Sequence, residues 1–174
     1  AATVATFANT SSSSTTLSWT QPSGYNSTNL STLVFIKSGS AITAGTPTQG
    51  PSIYTANSTF YSGTSYQNDA SAFCVYKGDG TSVTVSGLSS NTAYHFLILV
   101  VVDMSNSNSF NSYSSSLTAN TTTGCSAVSS FSLDFEGISG LPQCTSFLST
   151  DQFGANLSSN SSPYQGTQCL GMQT

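Results

Sequence analysis

The side chains able to do chemistry are few and far apart. His95 is the sole histidine. It lies in the apolar run that starts at Tyr94, with no second base, cysteine pair or ordered triad beside it, so it reads as a strand histidine covered by neighbours rather than a general base. Asp134 and Glu136 are the only close carboxylate pair; two apart, they share one face of a strand, either as oxygen ligands or as its solvated side. With six acids in all, mostly distant in sequence, a glycosidase pair is not expected. No phosphate loop is present. No enzyme activity, cofactor or metal is expected.

The remaining chemistry is covalent. Cys74, Cys125, Cys144 and Cys169 are an even set, which in a secreted chain predicts two disulfides among three pairings. The preferred pairing is Cys74 with Cys125 and Cys144 with Cys169; a metal site lacks short cysteine spacing and a nearby histidine. Asn-x-Ser/Thr sequons stand at Asn9, Asn26, Asn29, Asn57, Asn120, Asn156 and Asn160, each either a turn residue or a glycan acceptor. Asn26, Asn29 and Asn57 are better placed in loops than Asn9. Serine and threonine clusters at 11–16, 112–116 and 121–123 are candidate sites for O-linked sugar.

Composition narrows the partners. Charged residues make up 5% of the 174 and the net charge is −4 with only two lysines or arginines. That leaves no basic footprint for nucleic acid or anionic membranes. No apolar run approaches the roughly 18 residues of a membrane-spanning helix, so neither nucleic acid nor membrane insertion is expected. Ser and Thr number 62, while 37% hydrophobic and 11% aromatic content suffices for a core, unlike the low hydrophobicity and high charge of disordered chains. The start AATVATFANT is compatible with the mature end left by a cleaved secretory signal.

The positioning elements are strands. Val83 to Asp103 reads as strand, turn and strand: Val83 and Val85 alternate with polar residues, Gly87 to Thr92 is turn chemistry, and Tyr94 opens a long apolar run. Further strands are expected at 3–8, 15–20, 33–37, 72–77, 81–87 and 115–122, with Gly78-Asp79-Gly80 as a compact turn. Residues 38–70 are a long insertion with one short strand near Ile53 and Tyr54. Its rings, Tyr54, Phe60, Tyr61 and Tyr66, pack onto the domain edge or offer a sugar-stacking platform, and packing is favoured.

The spacing of Leu88 and Tyr94 resembles the tyrosine corner of fibronectin type III domains, and Trp19 in TLSWTQPSG resembles the second-strand core ring of that family. With STLVFIKSGS and FCVYKGDGTSVTVSGL, the resemblance covers residues 1–123 and implies an all-β, immunoglobulin-like sandwich of a kind found in secreted bacterial proteins. It implies little about activity. Residues 124–174 form a short C-terminal β extension, with strands expected at 131–135, 147–153 and 167–172. DFEG, LPQC and PYQGTQCLGM resemble the opening of a jelly-roll module, which implies calcium as the candidate ion for Asp134 and Glu136.

One strand departs from a half-buried sandwich strand. Tyr94, Phe96, Ile98, Val100 and Val102 form one apolar row, while Leu97, Leu99 and Val101 form another beyond His95; Leu33 and Phe35 repeat the second row on the neighbouring strand. An outward patch of that kind marks a contact. The alternative is a thick central strand under the chain's own loops. A tail of roughly 50 residues cannot stand alone, so it is expected to dock on its own sandwich or on a neighbour's, with Leu33, Phe35, Leu97, Leu99, Val101, Phe131, Leu133 and Phe135 as the assembly contact. The expected function is a secreted structural subunit, extracellular or on the cell surface, that polymerises head-to-tail with copies of itself and carries glycans. The alternative is an accessory or carbohydrate-binding module of a larger secreted protein.

Overall fold

The structure, a computed structural model, describes residues 2–45, 51–102 and 116–125, and the backbone alone of 155–158 and 169–172. The chain divides into two compact units, Ala1–Cys125 and Ser126–Thr174. In the first, the strands are β1 (Thr3–Ala8), β2 (Ser14–Thr20), β3 (Leu30–Ser38), β4 (Ser65–Tyr66), β5 (Asp69–Gly78), β6 (Ser82–Ser86), β7 (Ala93–Val102) and β8 (Leu117–Thr122). They make two antiparallel sheets, ordered β1-β2-β6 and β4-β5-β3-β7-β8. In the second unit β9 (Ala155–Ser158) pairs antiparallel with β10 (Cys169–Met172).

Alternation decides which side chains meet between the sheets, because successive residues of a strand point to opposite faces. Leu17 and Trp19 of β2, Val83 and Val85 of β6, Val34 and Ile36 of β3, and Tyr94, Phe96, Ile98 and Val100 of β7 form one buried cluster. This is an all-β sandwich, as the periodicity predicts. Phe7 and Phe96 lie with ring centroids 5.3 Å apart, and Trp19 meets Tyr76 edge-on at 5.2 Å.

The turn before β7 follows the expected corner. Gly87 takes φ +73°, a region that favours glycine, and Leu88 and Tyr94 are both buried. The Tyr94 hydroxyl accepts a hydrogen bond from the Ser89 N–H at 2.8 Å. A ring in the core thereby holds the loop that precedes it.

The insertion differs from expectation. Instead of a strand near Ile53 and Tyr54, Pro51–Ile53 forms a 3-10 turn and the short strand is β4. Pro51 supplies a fixed φ at the first turn position, and the Tyr54 N–H closes the turn on the Pro51 carbonyl at 3.2 Å. In the second unit β10 coincides with the strand expected at 167–172, while β9 was not anticipated. The strands expected at 131–135 and 147–153 lie outside the described residues.

A bulge sets up what lies outside the sandwich. Register shifts between Val34 and Phe35 against β5, from Tyr76 to Cys74, so Val75 is the extra residue and Val75 and Tyr76 both belong to the inter-sheet cluster. A bulge of this type re-aims the side chains beyond it. Lys77, the next residue, reaches the insertion on the other face.

Candidate functional site

The outer face of the five-stranded sheet is where the expected contact lies. Leu33, Phe35, Leu97 and Val101 are 0% exposed and Leu99 is 5% exposed. All five belong to a second buried cluster with Ile42, Tyr54, Tyr66, Ala72 and Cys74. The assembly row is therefore corrected: these five residues are a second core, joined by Ile42, Tyr54 and Tyr66 of the insertion, whose described residues, 39–45 and 51–66, act as a strap over the sheet. The physical reason is that the insertion carries apolar side chains that fit this face. Phe35 meets Tyr54 edge-on at 4.9 Å and Tyr66 at 4.5 Å. Phe131, Leu133 and Phe135 lie outside the described residues.

Polar groups pin the strap at its ends. The Lys37 ammonium donates to Asp69 Oδ2 at 2.8 Å, and the same oxygen accepts from the Thr43 N–H at 3.0 Å. Lys77 Nζ donates to the Pro51 carbonyl at 3.0 Å. These are the only two lysine or arginine side chains of the chain; Lys77 fastens the strap directly and Lys37 does so through Asp69. The Tyr66 hydroxyl donates to the Gly45 carbonyl at 2.7 Å, and the Tyr54 hydroxyl accepts from the Gln67 N–H at 3.3 Å. Burial pushes both phenols above their ordinary range.

Asp69 links this pinning to pH. Its carboxylate is 8% exposed, and burial alone would raise its pKa. The hydrogen bonds from Lys37, Thr43 and Ser71 outweigh that and hold it below the usual carboxylate range. A depressed folded-state pKa contributes stability that is present above the unfolded value, about 3.9, and is lost as pH falls through the lower folded one. Urea midpoints measured across pH are therefore expected to decline below about pH 4. In Asp69→Asn the part of that decline due to this group disappears, and stability at neutral pH is lower throughout.

Cys74 corrects the disulfide assignment. It is a free, fully buried thiol within the second cluster, donating weakly to the Tyr76 carbonyl at 3.5 Å, and burial pushes it up to about 12. The alternation of β5 aims its sulfur under the strap. Cys125 is exposed just past Thr123, where Gly124 is tied to Ser11 and Asn91, and it is disulfide-bonded, not free. The pairing of Cys74 with Cys125 does not form. Cys144 lies outside the described residues, and Cys169 opens β10.

His95 is half-buried and stands opposite Asn120 on β8 and Lys37 on β3. It lines a groove of about 290 Å³ with Ala41, Ile42, Thr118 and Asn120. No cysteine, serine or carboxylate lines that groove, so the lining residues offer His95 hydrogen bonds but no carboxylate partner. Asp134 and Glu136 lie outside the described residues. Of the sequons, Asn9, Asn26, Asn29, Asn57 and Asn120 are exposed; Asn26 and Asn57 accept from the N–H two residues on, at Thr28 and Thr59. Asn156 lies in β9, and Asn160 is outside the described residues.

The rings of the insertion separate into two kinds. Tyr54, Phe60 and Tyr66 are buried, as packing on the domain predicts, while Tyr61 is 61% exposed. Two signals in the sequence point to the strap: isolated apolar residues in an insertion beside an uncovered apolar row, and two lone lysines on the strands below it.

The strand order and the double core define an all-β sandwich of two antiparallel sheets. No family model matches the chain, and no curated protein matches it. Among solved structures, a β-sandwich protein redesigned by computer is similar over 75% of this chain and 96% of its own, at 14% identity and a TM-score of 0.40.

Proposed function

We propose that the chain is a secreted structural subunit with a fibronectin type III-type sandwich, polymerising with copies of itself by strand addition. The family assignment is supported by the Tyr94 hydroxyl bond to the Ser89 N–H, the buried Trp19 and the strand order. Exposed sequons and a surface rich in hydroxyls fit an extracellular, glycosylated setting.

The observation that carries assembly is the edge strand β8. Among the described residues its one strand neighbour is β7. Edge strands are commonly blunted by charge, proline or a bulge. β8 has the sequence LTANTT, with none of the first two, and its register against β7 runs unbroken from Leu117 to Thr122. By contrast β1, at the edge of the other sheet, carries a register break at Val4. The hairpin β9–β10 of a second copy is the strand donor, a mode in which main-chain bonds supply affinity. A head-to-tail contact of this kind does not close and grows a filament.

The N–H of Thr123 bonds the Thr92 carbonyl at 3.0 Å. Since ladder bonds alternate along a strand, Leu117, Ala119 and Thr121 turn toward β7, and Thr118, Asn120 and Thr122 turn outward. Thr118→Pro therefore removes an outward donor without breaking the ladder to β7. Negative-stain microscopy is expected to show filaments for the native chain and monomers for Thr118→Pro, with the melting temperature nearly unchanged. Filaments formed equally by the variant would reject β8 as the acceptor, and their absence from native material would reject the polymer.

A further inference from the structure

Tyr61 combines three features that a surface side chain has no structural need for. Its backbone is left-handed, φ +68°, a conformation that is an outlier for a bulky residue and points to a functional constraint when the surroundings hold it. Its ring is 61% exposed. Yet that ring is fixed: it stacks on Phe60 at 3.9 Å with the planes 34° apart, and Phe73 meets it edge-on at 4.9 Å. Phe60 is itself buried and perpendicular to Tyr94 at 5.3 Å. The aromatic series thus runs from the core to a rigid outer plate.

From this geometry we infer that Tyr61 is a carbohydrate-stacking site for gluco-configured, β-linked pyranoses. One face of the ring is taken by Phe60, which leaves the other for a ligand. A pyranose with equatorial substituents presents a flat face of C–H groups that suits an aromatic plane. The exposed hydroxyls of Thr59, Ser62 and Ser86 lie on the same turn and on the strand it bridges, and suit the equatorial hydroxyls at the rim. The turn is held by the Phe60 N–H on the Ser86 carbonyl at 2.9 Å and the Ser86 N–H on the Ser58 carbonyl at 2.9 Å. A site pre-organised this way loses little side-chain entropy on binding. It lies on β6 and the insertion, not on β8, and does not rest on assembly.

The test uses the full chain with cellohexaose and chitohexaose in titration calorimetry, beside melting curves. Wild type is expected to bind at least one hexasaccharide, Tyr61→Phe to bind it equally, and Tyr61→Ala and Tyr61→Asn to bind about tenfold more weakly or not at all. Asparagine tolerates left-handed backbone, and that relief offsets the lost ring contacts with Phe60 and Phe73, so the melting temperature of Tyr61→Asn is expected to stay within a few degrees of wild type. Absence of binding to both sugars, or equal binding by Tyr61→Ala, overturns the site. A marked drop in melting temperature for Tyr61→Asn also overturns it, because the ring is then a structural contact.

Discussion

Leu97→Asp is expected to leave no folded sandwich at all, rather than a folded subunit that fails to assemble. Leu97 is 0% exposed and lies between Phe35 on β3 and Thr118 on β8, inside the cluster closed by Ile42, Tyr54 and Tyr66. An unpaired carboxylate buried among them has no hydrogen-bond partner. The cost of stranding such a charge is of the order of the whole stability of a domain, about 5–15 kcal/mol. The milder Leu97→Ala tests the same placement quantitatively: a cavity in a closed core costs about 3 kcal/mol, whereas truncating a solvent-facing leucine shifts stability by roughly 0.5 kcal/mol or less. Urea unfolding of Leu97→Ala, followed by Trp19 fluorescence, separates the two outcomes.

Gly63→Ala is the second large effect, and it arises from backbone rather than side chains. A Cβ at Gly63 would collide with the Cys74 carbonyl oxygen and stand 3.2 Å from the Asn57 nitrogen. Neither can yield cheaply. The Cys74 carbonyl accepts from the Asn57 N–H at 3.1 Å, and the Cys74 N–H donates to the Thr64 carbonyl at 2.9 Å. To admit one methyl group, the insertion must lift off β5 and forfeit those bonds. The expected loss is about 3 kcal/mol, far above the usual result of a glycine-to-alanine change at a compatible site. A thermal melt shifted down by several degrees checks it; an unchanged melt would mean that the insertion does not lie against β5.

How much was legible in the sequence follows from what periodicity encodes. Seven of the eight strands of the sandwich were visible, all but the two-residue β4, because alternation and turn residues are local, and the Tyr94 corner because a fixed spacing carries it. The doubled apolar rows of β3 and β7 were also legible as an anomaly. Their cover was not. Ile42, Tyr54 and Tyr66 are isolated among polar residues, with no period, and their meeting depends on hydrogen bonds donated by Lys37 and Lys77 and accepted by Asp69 and Pro51 that no local pattern announces. Residue order left two covers open, the chain's own loops and the tail, and Ile42, Tyr54 and Tyr66 make it the loops. The cysteine pairing failed for a related reason: an even count says nothing about direction, and the alternation of β5 turns Cys74 under the strap. Tyr61 stood out in sequence only as one ring among four, because backbone conformation and exposure, not residue type, distinguish it.

The account rests on a second core beneath the insertion, and Cys74 reports on that core directly. The measurement is alkylation of the full chain with N-ethylmaleimide, followed by mass spectrometry of the peptide that contains Cys74, in native buffer and in denaturant without reductant. A buried thiol pushed up to about 12 is expected to stay unmodified in the native chain and to be labelled fully once unfolded. Labelling in native buffer would mean that the strap leaves the outer face open, and no labelling in denaturant would mean that Cys74 is held in a disulfide.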